Sequence, residues 1–335
     1  MLHTPPRTRP RVVLVTRKTS LEGLRESRGT LDQVRFYLAS RGQDLAWHQE
    51  AHERFVGAYA LVEKAIPADQ RRVRIDRGNL DRFLFAPDDL VLVVGQDGLV
   101  ANVAKYLSGQ RVIGINPDPE RFDGVLCRHP PGAAGALLDW AAAGISNGGG
   151  FQVETRTMAL AEREDGQKLL ALNEVFVGHR THQSARYTIE VGGTTERHSS
   201  SGVLCATGTG ATGWTRSICE QRKIEQELPL PADPRLVWMV REPFPSVSTG
   251  VTLDFGILSP DAHLVLRSEM AEGGAIFADG IETDALEFLG GQSVAVRRAE
   301  QGLHLIVPAP RKETKDRPGS EAAEPDGSPD STRPS

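Results

Sequence analysis

The segment Leu90-Val91-Leu92-Val93-Val94-Gly95-Gln96-Asp97-Gly98 constrains this chain more than any other. Five consecutive aliphatic residues without polar alternation suit a parallel strand covered on both faces. Gly95 and Gly98 let the backbone bend sharply and approach a ligand closely. Asp97 is thereby delivered to the carboxyl end of a strand, the edge at which open α/β sheets bind ligands. It is a candidate catalytic group; the alternative is an ordinary strand-ending turn, where Asp and Gly are common.

The surrounding pattern fits that strand. Arg11–Thr16 reads as a first buried strand, Thr30–Ser40 as an amphipathic helix through Leu31, Val34, Tyr37 and Leu38, and Ala51–Ala65 as another helix. Leu99–Leu107 reads as a helix after the glycine turn, and Arg111–Asn116 as a further strand ending at Pro117-Asp118-Pro119. Alternating strands and helices predict an α/β unit with a parallel sheet over residues 11–145.

Past Asn147-Gly148-Gly149-Gly150 the periodicity changes to two. Phe151–Leu160, Lys168–Val177, Ala185–Val191, Val251–Phe255 and His263–Arg267 read as strands, and the best helical stretch follows Thr212. Residues 146–290 are therefore expected to form a β-rich second domain, with C-terminal strands over 291–307 that could return to the first. Residues 1–10 are expected to be flexible, and 308–335, rich in Pro, Gly, Ser and charge, to be a disordered tail.

At 335 residues, 39% hydrophobic and 25% charged, the chain has enough apolar material for two ordinary globular cores. A net charge of -5 without basic clustering argues against nucleic acid as a partner. Its three cysteines, Cys127, Cys205 and Cys219, are too widely spaced for a chelating pair and fit small core residues in a reducing compartment, with no metal site. No apolar run approaches the roughly 20 residues that span a bilayer, and the first residues lack a secretory signal's apolar segment. The expectation is a cytoplasmic protein without a membrane partner.

Two further constellations lie in the second half. In Ala171-Leu172-Asn173-Glu174-Val175-Phe176-Val177 an amide and a carboxylate interrupt an apolar strand. Burying them without partners costs several kcal/mol, so Asn173 and Glu174 are either exposed on an edge strand or engaged. Engaged, a Glu carboxylate accepts from the two vicinal hydroxyls of a ribose, and an Asn amide both donates and accepts. The second is the run Ser200-Ser201-Gly202, then Thr207-Gly208-Thr209-Gly210-Ala211-Thr212-Gly213-Trp214. It is either a flexible loop or a nucleotide loop: small residues admit a ligand, Thr209 and Thr212 offer hydroxyls, a helix start favours phosphate, and Trp214 offers a stacking face.

In order and spacing these segments resemble the NAD kinases, more closely the divergent mitochondrial type. Also matching are Lys18-Thr19-Ser20-Leu21-Glu22, Ile113-Gly114-Ile115-Asn116-Pro117-Asp118-Pro119-Glu120-Arg121, Val240-Arg241-Glu242-Pro243 and Asp279-Gly280. The resemblance spans roughly residues 11–307. It implies an α/β N-terminal domain, a β-rich C-terminal domain with NAD between them, and transfer of the γ-phosphoryl of ATP, with Mg²⁺, to the 2′-hydroxyl of the adenosine ribose. Homodimers or larger homo-oligomers are implied as well. By resemblance Asp97 is the catalytic aspartate, Gly95 and Gly98 frame the phosphates, and Asn173, Glu174, Thr209, Thr212 and Trp214 contact NAD.

The family's turn reads Gly-Gly-Asp-Gly-Thr, whereas here Gln96 and Leu99 replace the second glycine and the threonine. If that glycine is needed at positive φ or for contact with a phosphate, Gln96 strains the turn or narrows the site, and Leu99 removes a hydroxyl donor. Two alternatives follow: a catalytically silent regulatory protein that binds NAD(H) or NADP(H), and a lipid kinase of the related group that shares the Gly-Asp turn. Asn173-Glu174 and the 207–214 loop weigh against the second.

Overall fold

The computed structural model describes residues 9–144 and 146–310. Its chain opens with four parallel strands, β1 (Val12–Thr16), β2 (Arg72–Asp76), β3 (Leu90–Val94) and β4 (Arg111–Ile115). Helices α1 (Ser20–Arg28), α2 (Leu31–Ala39) and α3 (Leu45–Ala65) lie between β1 and β2, α4 (Asp97–Ala104) between β3 and β4, and α5 (Ala134–Ala142) after β4. The first three start where side chains satisfy free N–H groups: Thr19 with Glu22 and Thr30 with Gln33 form capping boxes, and Asp44 caps α3. That cap explains why α3 starts six residues before the expected Ala51. Neither α1 nor β2 is visible as a period in the sequence; β2 is an edge strand whose two arginines are exposed.

The strands that follow are β5 (Asn147–Gly148), β6 (Phe151–Arg156), β7 (Ala159–Arg163), β8 (Lys168–Ala171), β9 (Glu174–His179), β10 (Ala185–Val191), β11 (Thr194–Ser200) and β12 (Val203–Ala206). Helix α6 (Trp214–Arg222) precedes β13 (Leu236–Val240), β14 (Phe255–Leu258), β15 (Leu264–Ser268), β16 (Gly274–Ala278), β17 (Ile281–Glu287), β18 (Ser293–Arg298) and β19 (Leu303–Pro308).

Three sheets result, in the orders β2-β1-β3-β4-β19-β6-β5, β11-β10-β15-β18-β7-β8 and β14-β13-β12-β9-β16-β17. In the first, mostly parallel sheet, alternate residues divide between two cores. Val91 and Val93 face α4, whereas Leu90, Leu92 and Val94 face α3 and α5. No residue of β3 is more than 3% exposed, which is why its sequence carries no polar alternation. The two antiparallel sheets face each other across one core that includes Tyr187, Trp238 and Phe288, and α6 covers the far side of the third sheet through Cys219. All three cysteines are buried and free, as expected.

Several expected boundaries change. Phe151–Leu160 is not one strand: β6 pairs with β19 in the first sheet, whereas β7 pairs with β18 in the second. Thus 147–156, expected in the β-rich half, belong by pairing with the α/β sheet. Of the C-terminal strands, β19 lies in the first sheet and β18 in the second. Lys168–Val177 breaks at Leu172-Asn173, whose N–H groups turn onto Asp279. Strand β14 starts at Phe255 rather than Val251 because the N–H groups of Thr252 and Leu253 donate to the Glu196 carboxylate. The flexible N-terminus and disordered tail expected for 1–10 and 308–335 lie outside the described residues except at 9–10 and 308–310, where Pro308 ends β19 opposite Phe151. No helix among the described residues is long and apolar enough to cross a membrane.

Leu92, fully buried between helix-bearing faces, sets a stability test. Leu92→Ala is expected to cost about 2–5 kcal/mol in urea unfolding without changing the slope; a loss below about 1 kcal/mol would contradict close packing there.

Candidate active site

The turn after β3 is built without unusual backbone. Gly95 donates its N–H to the Ile115 carbonyl at 3.1 Å, tying the turn to β4. Gln96 is extended at φ -97° and ψ 165°, so the expected strain at this position is absent. Gly95 and Gly98 also avoid positive φ, although the chain turns from β3 into α4 within two residues. A Cβ on Gly95 would press on Leu99 at 3.0 Å, and Gly98 faces open space. Leu99 is a buried core residue of α4, so an apolar side chain belongs at that position.

Asp97 is the first residue of α4, two earlier than the helix start read from the sequence. Its Oδ2 accepts the Val125 N–H at 2.8 Å, and its Oδ1 accepts those of Leu126 and Cys127, both at 2.9 Å. The carboxylate thus pins the loop after β4. Leu126 and Cys127 enter the same core as Leu99, and Gly114 lacks the Cβ that would meet the Leu126 carbonyl. A carboxylate offers about four lone-pair sites. Three are taken here, and the one left, on Oδ2, is available to a further donor. Behind the loop the fully buried Arg156 lies 3.0 Å from Glu154 Oε1.

A second aspartate performs the same service for Asn173 and Glu174. Asp279 stands at φ 55° beside Gly280 in the turn between β16 and β17. Its carboxylate accepts the N–H groups of Leu172 at 3.0 Å, Asn173 at 2.6 Å and Glu174 at 3.3 Å, and its own N–H donates to the Glu174 carbonyl. Asn173 and Glu174 are half-buried, and Glu174 is not on an edge strand, since β9 lies between β12 and β16; their backbones are engaged by Asp279, while among the described residues their side chains make no hydrogen bond within the chain. Burial, reinforced by the Asp279 charge, pushes the Glu174 carboxyl up to about 7. Burial pushes Asp279 up to about 6 against the pull of the Asn173 and Leu172 N–H groups and the Lys105 charge.

The 207–214 loop wraps this turn and is ordered. Thr207 Oγ1 donates to the Leu172 carbonyl at 2.6 Å and accepts the N–H groups of Thr209 and Gly210, while its own N–H donates to the Asn173 carbonyl. Gly210 presses so close to that carbonyl that a Cβ would not fit. Thr209 Oγ1 is buried without a hydrogen-bond partner, whereas Thr212 Oγ1 donates to the Thr209 carbonyl. Trp214 is not a bare stacking face: its ring lies parallel to Phe176 at 5.9 Å, and the Arg241 guanidinium sits 4.8 Å from its centre.

One lysine ties the far end of α4 to the β16–β17 turn that holds Asp279. Lys105, just past α4, donates to the Ala278 carbonyl at 3.0 Å and to Asp284 Oδ2 at 3.1 Å. The core behind Asp97 also contains Leu172. Beside this junction a cavity of about 770 Å³ opens between Arg17, Arg77 and Asn102 of the first half and Ile281 and Thr283 of the second. A neighbouring cavity of about 410 Å³ is lined by Thr19, Trp47, Phe55, Gly95, Gln96 and Arg121. Gly95 alone of the sequence-derived site residues lines either one. Arg17, which lines both, and the anchoring roles of Lys105 and Asp279 carry no motif of their own; the Asp279-Gly280 match was the sole sign of the latter.

The Glu174 shift has a fixed sign. An unfolded Glu titrates near 4.5, whereas the folded one stays protonated up to about 7. The fold therefore favours the protonated form, and this contribution is lost as pH rises from about 4.5 through about 7. Glu174→Gln, neutral throughout, should gain stability relative to wild type over that window by on the order of 3 kcal/mol. Denaturation at pH 4.5 and pH 8 checks this, and a difference that does not change with pH contradicts it.

No family model matches the chain. An NAD kinase of Methanoregula boonei is 33% identical over 225 residues, covering 65% of this chain and 74% of that protein. Among solved structures, yeast NADH kinase complexed with NADH aligns with a TM-score of 0.55 and 14% identity over 90% of this chain and 84% of that one. An NAD kinase from Archaeoglobus fulgidus in complex with ATP aligns with a TM-score of 0.54 and 16% identity over 88% and 92%. These two likenesses speak for the fold, an α/β unit with a mostly parallel sheet joined to antiparallel sheets. Together with the Methanoregula relative, they show that the chain belongs to the NAD kinase family, a family of phosphotransferases.

Proposed function

We propose that this enzyme transfers the γ-phosphoryl group of ATP to the 2′-hydroxyl of the adenosine ribose of NAD, forming NADP and ADP. The 2′-hydroxyl gives its proton to Asp97 Oδ2, its oxygen bonds to the γ-phosphorus, and the bond to the bridging oxygen breaks with its electron pair leaving on ADP. The observation that carries this is Asp97 itself, held at the end of a parallel strand by three backbone N–H groups with one acceptor site left. Phosphoryl transfer asks little covalent chemistry of a protein, so rigid placement of such a base is the main requirement.

Asn173 and Glu174, shaped by Asp279, take the dinucleotide. The Thr209 hydroxyl, buried and unpaired, supplies it a donor, with Thr212 and Trp214 bordering the same loop. Gly95 and Gly98 leave room for phosphates. Among the described residues no group of three His, Cys, Asp or Glu side chains is arranged to hold a metal ion. Mg²⁺ would arrive on the donor phosphates and supply charge neutralisation there, and no residue of this chain is assigned to it. A cytoplasmic homodimer or larger homo-oligomer accords with this reading. The silent-binder alternative rests on Gln96 and Leu99; the extended backbone at Gln96 removes the strain part of it, and the NADP assay below decides the rest.

Purified protein with NAD, ATP and Mg²⁺ is expected to form NADP. Asp97→Asn keeps Oδ1 as an acceptor for the Leu126 and Cys127 N–H groups, so it is expected to fold and bind NAD while kcat falls about 10²- to 10⁴-fold. Calorimetry checks the binding. No NADP from wild type that still binds NAD would establish the silent binder, and equal rates for both proteins would remove Asp97 from the base role.

A further inference from the structure

Arg17 and Gln96 occupy the same edge of the first sheet. Arg17 follows β1 and Gln96 follows β3, and β1 and β3 pair in parallel. Across that edge the Arg17 guanidinium donates to Gln96 Oε1 at 2.6 Å. Arg17 lines both cavities of the candidate site, the larger one together with Arg77. Burial lowers its proton affinity and the Arg77 charge lowers it further.

Three carboxylates line the larger cavity, and each has another partner: Asp284 is engaged by Lys105, Asp81 lies 3.7 Å from Arg82, and Asp76 accepts the Gly78 N–H. Lys18 at the same wall is paired with Glu26. Among the described residues neither Arg17 nor Arg77 has a carboxylate in ion-pair contact. A guanidinium carries five N–H donors in a rigid fork suited to phosphate oxygens, and the structure assigns one of Arg17's to an amide oxygen that adds no negative charge. A partly desolvated guanidinium that opens onto both cavities with no carboxylate in ion-pair contact is relieved by an anion that brings its own charge.

We propose that Gln96 is a positioning residue that holds the Arg17 guanidinium between the two cavities as a clamp on the phosphate chain of the donor nucleotide. The identity of that anion as a nucleoside triphosphate rests on the proposed phosphoryl transfer; the presence of a polyphosphate site does not. Gln96 leaves the remaining N–H groups of Arg17 free and its charge intact, which a carboxylate at 96 would not.

The experiment measures binding of ATP and of inorganic tripolyphosphate by calorimetry, alongside KM and kcat, for wild type, Arg17→Ala, Arg17→Lys, Gln96→Leu and the Arg17→Ala/Gln96→Leu pair. Arg17→Ala is expected to weaken both ligands about 10- to 100-fold, the range of a charge-assisted hydrogen bond. It should raise the KM for ATP while changing the KM for NAD less than about threefold, and Arg17→Lys should recover part of the loss. Gln96→Leu should weaken ATP by about three- to tenfold alone and by nothing further on Arg17→Ala, because it acts only through that side chain. Additive effects would overturn the positioning role, and unchanged affinity in a folded Arg17→Ala would overturn the clamp. So would failure of wild type to bind either ligand. Arg17-dependent tripolyphosphate binding without NADP formation keeps the clamp and rejects the phosphoryl transfer; NADP formation indifferent to Arg17 does the reverse.

Discussion

Three backbone N–H groups converging on the Asp97 carboxylate are the constraint around which the first half of this protein is organised. Strand β3 and the start of α4 place the carboxylate; Val125, Leu126 and Cys127 then take their positions from it. Leu126 and Cys127 in turn complete the apolar core that holds α4. Removing such an acceptor leaves the part-buried Leu126 and Cys127 N–H groups unpaired, at up to about 1–3 kcal/mol each. The group proposed to take a proton is therefore fixed by interactions that the fold itself requires, and a base so held does not have to be ordered when substrate arrives.

The second half repeats the device. Asp279 gathers the N–H groups of Leu172, Asn173 and Glu174 as Asp97 gathers those of its loop, and the 207–214 loop closes over the result. Lys105 spans the gap, leaving the end of α4 to reach the Ala278 carbonyl and Asp284. One buried ammonium thus ties the helix that begins at Asp97 to the turn that holds Asp279. Its own burial brings the Glu174 carboxyl into the neutral range, and the charge of the neighbouring Asp279 adds to that.

Legibility in the sequence followed the physics of burial. Leu90–Val94 could be read to the residue because a strand covered on both faces has no reason to alternate. The charged edge strand Arg72–Asp76 could not, since little of it is buried. Period two identified Phe151–Leu160 as extended but carries no information on which sheet each part joins. In the site, Asp97, Asn173 and Glu174 stood out as polar residues set in apolar or glycine surroundings. Their partners did not: Asp279 lies 106 residues from Asn173, and Gln96 lies 79 from Arg17. Gln96 was readable as a departure from a glycine, but its backbone proved ordinary and its side chain found a guanidinium.

The central claim is that Asp97 remains pinned by its three N–H groups while its last lone pair meets the reacting hydroxyl. A crystal structure with NAD bound tests it most directly. The account predicts the adenosine 2′-hydroxyl oxygen about 2.6–3.2 Å from Asp97 Oδ2, with the Val125, Leu126 and Cys127 N–H groups still on the carboxylate. A 2′-hydroxyl facing another group, or a carboxylate released from the 125–127 loop, would contradict it.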